Sequence, residues 1–357
     1  MKIGFFIYHL RSGGAERVIT TLANNFAEQQ FEVNIYTISE EAPFYKLDEK
    51  VNHVKLGIRR KAFIGKFNVL NQFRKLYINV KRDKPDVLIS FIDKNNLIAI
   101  IVARSLRIPI IISERSNPEK YDYSPIILNG FKMLYNKANA IVLQTSAVAN
   151  GFRNMHIKLP ESFVITNPLD PVFFSASEHK KENIILSVGR LSKEKGHDIL
   201  LEAIERKRPK NWNIVIVGDG PLLRSYKSFV DANNLTGSVV FEGRKNDVLS
   251  YYDKAKIFVL PSRFEGFPNA LVEAMARGCV VIAADCDYGP SEIIKPNENG
   301  YLFKIEAADE LQLYIEKLID NTELINKMSM QAIQTAKNFS LAKVSNDWLK
   351  VINKVIG

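Results

Sequence analysis

Short apolar runs recur along the chain. Most are followed by a polar or glycine-bearing turn and then by apolar residues at helical spacing. In the first half, Lys2 to His9, Glu32 to Ile38, Val51 to Leu56, Asp86 to Ile92, Ile108 to Ser113, Ala140 to Gln144 and Val164 to Asn167 read as strands. Helices are predicted after the stretch Leu10 to Arg17 as far as about Gln29, and over Phe63 to Lys81, Asn95 to Leu106 and Ile126 to Asn136. The second half restarts the pattern. Its strands are Asn183 to Val188, Trp212 to Val217, Val239 to Glu242, Ile257 to Leu260, Val280 to Ala284 and Tyr301 to Phe303. Its helices are His197 to Arg206, Leu222 to Ala232, Asp247 to Lys254, Asn269 to Arg277 and roughly Leu341 to Ile356. Alternation of this kind predicts parallel, doubly wound sheets. Two such runs predict two α/β domains with a cleft between them. Their linker is expected around Pro168, Pro171 and the polar run Ser175 to Glu182. A length of 357 residues suits two domains.

Composition narrows the class. No apolar run is long enough for a membrane span, since Leu97 to Ser113 is broken by Arg104 and Arg107. The run Ile3 to Tyr8 is too short for a signal segment. Cys279 and Cys286 are the only cysteines and sit in or beside an apolar strand pattern. Buried free thiols in a reducing compartment are expected from that. The five histidines show no zinc spacing. The net charge of +10 is uneven: residues 1–170 hold 24 Lys and Arg against 15 Asp and Glu. The stretch Lys55 to Lys84 has ten basic residues and one acid, Asp83. Such a stripe fits nucleic acid, anionic lipid or a phosphorylated substrate.

Candidate chemistry centres on Ser262 to Gly278, read S-R-F-E-G-F-P-N-A-L-V-E-A-M-A-R-G. Gly266 permits a tight turn, Pro268 suits the first helical position, and Gly278 suits the helix end. Leu271, Val272 and Met275 share a core-facing side, and Glu273 is expected to point away from it. The backbone N–H groups of Asn269, Ala270 and Leu271 are expected to open as an anion cradle. Glu265 and Glu273 flank that cradle as acceptors for hydroxyls. This arrangement suits a sugar nucleotide. Arg190 and Lys195, on a glycine-flanked loop, suit a diphosphate. Ser12-Gly13-Gly14-Ala15-Glu16-Arg17 follows the first strand, as in the opening of a Rossmann-like unit, but is not the G-x-G-x-x-G pattern. Asp285-Cys286-Asp287 is a lone D-x-D triplet, a weak metal signal. Glu114 and Arg115 lie at the carboxyl end of a strand, where they could orient a substrate or form a salt-bridged turn.

Glu265 and Glu273, with seven residues between them, resemble the E-x7-E signature of retaining glycosyltransferases of family 4. The resemblance extends through S-G-G-A-E-R, the S-E-R turn at Ser113 to Arg115, G-R-L…K-G at Gly189 to Gly196, G-D-G at Gly218 to Gly220 and Y-G-P-S-E-I-I at Tyr288 to Ile294. S-E-R and Y-G-P-S-E-I-I resemble a subgroup of bacterial exopolysaccharide and O-antigen transferases. Family 4 implies the GT-B fold, an α/β architecture of two facing Rossmann-like doubly wound domains. It implies an N-terminal acceptor-side domain over 1–170 and a nucleotide-sugar domain over 171–340. It also implies a final helix, 341–357, packed back on the first domain. The family loop matching Arg190 and Lys195 binds the donor diphosphate and neutralises the leaving group. The resemblance assigns Glu265 to the sugar hydroxyls and Glu273 to the ribose. It brings Gly13 and Gly14 to the donor phosphates and acceptor, Gly266, Phe267, Pro268, Asn269 and Ala270 to the donor, and Arg244 to the base. The histidine some retaining members carry after the strand at Ile108 to Ser113 is replaced here by Glu114-Arg115.

The expected activity is retaining, metal-independent transfer from a nucleotide-diphosphate sugar, a UDP-sugar, to a lipid-linked glycan acceptor. No cofactor and no nucleic acid partner are expected. The expected setting is the cytoplasmic face of the inner membrane, with Lys55 to Lys84 against its anionic surface. The rival readings are a nucleotide-sugar epimerase of the same fold and a nucleic-acid binder.

Overall fold

The computed structural model describes residues 1–57, 65–115, 118–177, 179–287 and 289–357, with the side chains of 65–68 and 120 also left undescribed. Phe63, Arg59, Arg60, Lys61, Tyr288 and the Lys66 side chain, all within stretches singled out above, lie outside the described residues. The chain divides into two compact units, Met1–Pro168 with Leu341–Gly357, and Leu169–Ser340. The crossing at Pro168 falls at the start of the stretch expected to form it. Leu169 N–H already donates to the Phe339 carbonyl at 2.7 Å. The Phe173 and Ser175 carbonyls accept from Arg277 Nη1 at 3.3 and 2.6 Å, so this run belongs to the second unit.

The first unit runs β1 (Lys2–Ile7), α1 (Gly14–Glu28), β2 (Glu32–Thr37), β3 (Val51–Lys55), α2 (Gly65–Asp83), β4 (Val87–Phe91), α3 (Asp93–Leu106), β5 (Ile110–Glu114), α4 (Pro125–Leu134), β6 (Ala140–Leu143), α5 (Ser146–Asn154) and β7 (Glu161–Val164). Its sheet order is β3-β2-β1-β4-β5-β6-β7, with every pair parallel. Ile3 registers with Val33 on one side and Val87 on the other. The order reverses between β1 and β4, which leaves a crevice at their carboxyl ends. Strands buried on both faces explain the unbroken Ile and Val runs. The last strand lies at Glu161–Val164, earlier than the expected Val164 to Asn167. It is an exposed edge strand, so its polar residues do not show in an apolar pattern.

The second unit runs β8 (Glu182–Val188), α6 (His197–Arg206), β9 (Asn213–Val217), α7 (Leu223–Ala232), β10 (Val239–Gly243), α8 (Leu249–Lys254), β11 (Ala255–Leu260), α9 (Asn269–Ala276), β12 (Val280–Ala284), α10 (Pro290–Ile293), β13 (Gly300–Phe303), α11 (Ala308–Ile319) and α12 (Thr322–Ala336). Its parallel sheet has the order β10-β9-β8-β11-β12-β13, with the reversal between β8 and β11. Apolar clusters cover both faces, around Ile214 and Ile282 on one side and Phe258 and Met275 on the other.

The final helix, α13 (Leu341–Ile356), belongs to the first unit. Val344, Trp348, Val351 and Ile352 form its buried stripe, and the Trp348 ring stacks on Phe91 at 5.8 Å. Helices α5, α10, α11 and α12 are absent from the periodicity reading above.

Candidate functional site

In the second unit, the loops after β8, β9 and β10 enclose a pocket of about 430 Å³, lined by Gly189, Arg190, Gly218, Asp219, Gly220 and Arg244, with Lys245 and Val248. Two loops meet here at backbone distance. Gly218 has φ +149°, and a Cβ on it would stand 1.8 Å from the Gly189 carbonyl oxygen. Only glycine fits. Leu191 N–H donates to the Asp219 carbonyl at 3.0 Å, which fixes the two loops together. Arg190 is exposed at this rim and Arg244 lies across it. Lys245 is held by Glu242 at 2.9 Å. The pocket therefore offers two arginine forks for an anion.

Lys195 reaches the same loop. Its Cδ lies 3.8 Å from where a Cβ on Gly189 would stand. Its Nζ donates to Glu265 Oε1 at 2.7 Å, and Ser262 Oγ donates to the same oxygen at 2.7 Å. Glu265 Oε2 makes no hydrogen bond among the described residues. The approach depends on Gly196, at φ +65°, because a Cβ there would lie 2.0 Å from the Pro261 carbonyl oxygen. Because β8 and β11 are neighbours in the sheet, their following loops meet. Arg263 clamps that junction. It donates to the Lys193 carbonyl at 2.7 Å, to both Asp198 oxygens at 2.8 and 2.7 Å, and to Glu306 at 2.7 Å. Asp198 and then Glu306 hold its guanidinium above the ordinary arginine range. Arg263 has no role in the sequence reading, although it stands two residues before Glu265. Cys286 is also close by, and burial followed by the Glu265 charge pushes its thiol up to about 12.

Several expectations change at α9. Pro268 precedes the helix, which starts at Asn269. Asn269 N–H donates to the Phe267 carbonyl at 2.9 Å and Leu271 N–H to the Pro268 carbonyl at 3.0 Å. The expected cradle of three N–H groups is reduced to Ala270, because the tight turn uses the other two. Phe267 packs in the core against Phe339, with ring centroids 5.9 Å apart. Its side chain is therefore part of the core. Glu273 does not point to solvent. It is buried, and Tyr252 Oη donates to its Oε2 at 3.0 Å. Helix α9 is buried on most of its surface, so a two-sided helical wheel misplaces Glu273.

Asp285 and Asp287 are exposed on either side of the buried Cys286. Among the described residues, no three His, Cys, Asp or Glu side chains gather as a metal-ligand group.

The first unit has a pocket of about 550 Å³ at the carboxyl ends of β1, β2 and β4, lined by Tyr8, His9, Arg11, Glu16, Glu41 and Asp93 among others. Gly13 is the N-cap of α1 and Gly14 its first residue. Neither lines this pocket, but their neighbours Arg11 and Glu16 do. Glu16 is buried, with Oε1 3.1 Å from His9 Nδ1, and Arg11 pairs with Glu41. His9 is not singled out by the sequence, and Glu16 is so only as part of the S-G-G-A-E-R loop.

Glu114 and Arg115 are both buried and face different partners. Glu114 Oε1 accepts from Asn96 Nδ2 at 2.7 Å and from the Tyr135 hydroxyl. Burial pushes its carboxyl up to about 8, against those hydrogen bonds. The Arg115 guanidinium lies 4.9 Å from the Phe91 ring centroid and 5.9 Å from that of Trp348. Its Nη1 donates to Asn167 Oδ1 at 3.1 Å, and burial pulls it down to about 9. Of the two readings of this turn, the salt bridge between Glu114 and Arg115 does not form.

Two family models match the chain: Glycosyltransferase Family 4 over residues 12–173 and Glycosyl transferases group 1 over 170–337. The chain is 31% identical, over 99% of its length and 99% of the relative, to a Campylobacter jejuni protein named GalNAc-alpha-(1->4)-GalNAc-alpha-(1->3)-diNAcBac-PP-undecaprenol alpha-1,4-N-acetyl-D-galactosaminyltransferase. It is 27% identical, over 98% of its length and 99% of the relative, to the same organism's N-acetylgalactosamine-N,N'-diacetylbacillosaminyl-diphospho-undecaprenol 4-alpha-N-acetylgalactosaminyltransferase. Anabaena HepE, solved in complex with UDP, matches the fold with a TM-score of 0.84 at 19% identity, over 99% of this chain and 100% of that one. The fold is GT-B. The full-length relatives are transferases, and the epimerase alternative gains no support from them. The chain belongs to glycosyltransferase family 4.

Proposed function

We propose that this glycosyltransferase moves a sugar, with retention, from a UDP-sugar to a hydroxyl of a lipid-linked glycan. The observation that carries the reading is the Lys195–Glu265 pair at 2.7 Å beside the glycine-lined pocket of Arg190. UDP bound to HepE supports the donor class, and the undecaprenol names of the two Campylobacter relatives support the acceptor class. Arg190 and Lys195 hold the diphosphate, where a planar fork and a point charge stabilise negative charge as it develops. Glu265 keeps one oxygen on Lys195 and accepts a sugar hydroxyl with the other. Arg244 sits toward the base, and Glu273, fixed by Tyr252, accepts from the ribose. Gly13 and Gly14, at the start of α1 in the first unit, belong to the acceptor side in this reading.

Retention proceeds on one face. The acceptor oxygen bonds to the anomeric carbon as the bond to the diphosphate oxygen breaks. The acceptor proton passes to that leaving oxygen. The two basic side chains supply the countercharge, so no metal is required. The pathway is bacterial surface-polysaccharide assembly, at the cytoplasmic face of the membrane. The basic residues of 55–84 add attraction to anionic lipid. Part of that stripe is engaged internally: Lys75 Nζ donates to the Leu56 and Gly57 carbonyls at 2.5 and 3.1 Å, and Arg82 pairs with Asp83 at 2.7 Å. Arg74 and Lys81 stay exposed.

A panel of nucleotide sugars tests the donor by thermal stabilisation, and NMR of the product tests the anomeric outcome. UDP-linked donors are expected to stabilise the chain, and the product is expected to keep the donor's configuration with chelator present. Stabilisation by another nucleotide series, an inverted product, or activity that returns only with added divalent metal would each remove the corresponding part.

A further inference from the structure

The pocket at the carboxyl ends of β1, β2 and β4 takes no part in the donor chemistry proposed above, yet its lining is shaped for a ligand. Glu16, the acid in the first turn of α1, is 6% exposed. It lines the pocket and accepts no hydrogen bond among the described residues. His9 Nδ1 lies 3.1 Å from its Oε1, but not in hydrogen-bonding geometry. A carboxylate withdrawn from water with its lone pairs unused is costly unless a ligand supplies the donors. The backbone accommodates this group. A Cβ on Gly13 would stand 2.2 Å from Glu16 Oε2, so only glycine leaves the carboxylate in place. Ile92, also in the lining, has φ +73° and ψ 134°, a conformation β-branched residues rarely take. Strain of this kind gathers at binding sites.

The rest of the lining indicates the ligand's chemistry. Glu16, Glu40, Glu41 and Asp93 stand against two cations, Arg11 and Lys94, and Arg11 is already held by Glu41. That balance disfavours an anion. Among the described residues no three His, Cys, Asp or Glu side chains form a metal-ligand group, so the carboxylates are not arranged for a metal ion. Tyr8 adds an aromatic surface, its ring set edge-on to His9 at 5.5 Å. Aromatic surface beside carboxylate acceptors suits a sugar, whose C–H face packs on the ring and whose hydroxyls donate. We propose that this pocket takes the terminal sugar of the acceptor, that Glu16 reads it by accepting from its hydroxyl groups, and that the surplus of carboxylates restricts it to an uncharged sugar. The proposal rests on the transfer reading above and adds the acceptor's class: a neutral ring, not a uronic acid or a sugar phosphate. The sugar end of the acceptor enters, and its anionic diphosphate stays outside.

The test is saturation-transfer NMR of the full chain with UDP present. The probes are methyl galactoside, methyl glucoside, methyl N-acetylglucosaminide and methyl glucuronide. At least one neutral glycoside is expected to bind, and the glucuronide at least about tenfold more weakly. Glu16→Gln keeps the side chain's size and is expected to weaken the neutral glycoside at least about tenfold, because hydrogen bonds to a carboxylate are the stronger kind. Gly13→Ala displaces that carboxylate without removing it and is expected to weaken binding as well. Thermal stabilisation by UDP should persist in both variants, which shows that they fold. Glycoside binding that depends on Glu16 in a chain that UDP does not stabilise would support this proposal and count against the donor assignment alone. Wild type that binds UDP but no neutral glycoside, neutral binding that survives both variants, or glucuronide bound as tightly as the neutral probes would each overturn the proposal.

Discussion

Lys195 and Glu265 stand seventy residues apart and meet at 2.7 Å; Glu114 and Arg115 are adjacent and do not pair. The difference comes from the sheets. Side chains of consecutive residues at a strand end leave on opposite sides. Glu114, last in β5, turns to Asn96 and Tyr135, while Arg115 enters the rings of Phe91 and Trp348. In the second unit, β8 and β11 are sheet neighbours, so the loops that follow them converge. The two sites also differ in charge state. Lys195 and Glu265 form an ion pair at a pocket rim, able to exchange partners when an anion and a sugar hydroxyl arrive. Glu114 is fully buried, and with its carboxyl at about 8 it holds a proton at neutral pH. In the function proposed above the first arrangement meets transition-state charge; the second ties β5 to Asn96 and Tyr135.

The largest effect should fall on the first arrangement. Lys195→Ala and Arg190→Ala are each expected to lower turnover by about 10²–10³, the usual cost of one lost donor to developing charge. Their melting temperatures should change little, because Arg190 is exposed and Lys195 only half-buried. A double-mutant cycle with Glu265→Gln sharpens the point: coupled groups should give non-additive rates. Additive losses would separate Lys195 from Glu265 in function.

Next comes the pocket floor. Gly218→Ala places a Cβ against the Gly189 carbonyl, with an unfavourable φ as well. A loss of roughly 1–3 kcal/mol in denaturant unfolding is expected, together with weaker stabilisation by UDP. Unchanged stability would mean that the two loops separate without penalty.

The last prediction concerns Glu114 and the pH dependence of stability. Its folded pKa, about 8, is raised above the ordinary value of 4.5. Between those values the folded chain holds a proton that the unfolded chain has released. Stability therefore falls as pH rises through that window, and the loss is complete above about 8. Glu114→Gln should remove this contribution. A tenfold difference in proton affinity between the folded and unfolded chains corresponds to about 1.4 kcal/mol, so the flattening should be visible in melting temperature against pH. If the glutamine variant keeps the wild-type slope, another group is titrating.

These contrasts also explain what can be read from the chain alone. The buried strands are legible because parallel sheets covered on both faces demand unbroken apolar runs, as in Ile110 to Ile112 and Val280 to Ala284. Edge strand β7 escapes for the opposite reason. Helices α5 and α12 carry cap signals that periodicity alone does not weigh. Thr145 Oγ1 accepts from Val148 N–H at 3.3 Å, and Asn321 Oδ1 from Leu324 N–H at 2.9 Å. At the site, motif spacing puts Glu265, Arg190 and Lys195 on loops of one unit, but spacing is silent about partners. That Lys195 is tied to Glu265, that Arg263 braces both, and that Glu273 is buried under Tyr252 depend on strand order and tertiary packing.

The central claim is that the pocket of Gly189, Arg190 and Gly218, with Lys195 at its edge, receives a nucleoside diphosphate. Calorimetric titration of UDP into wild type, Arg190→Ala, Lys195→Ala and Glu114→Gln tests it most directly. Binding is expected in wild type and Glu114→Gln with similar affinity, and at least about tenfold weaker in each of the other two, since a charge-assisted hydrogen bond to phosphate is lost. Equal affinity in all four proteins, or no heat of binding in any, would contradict the account.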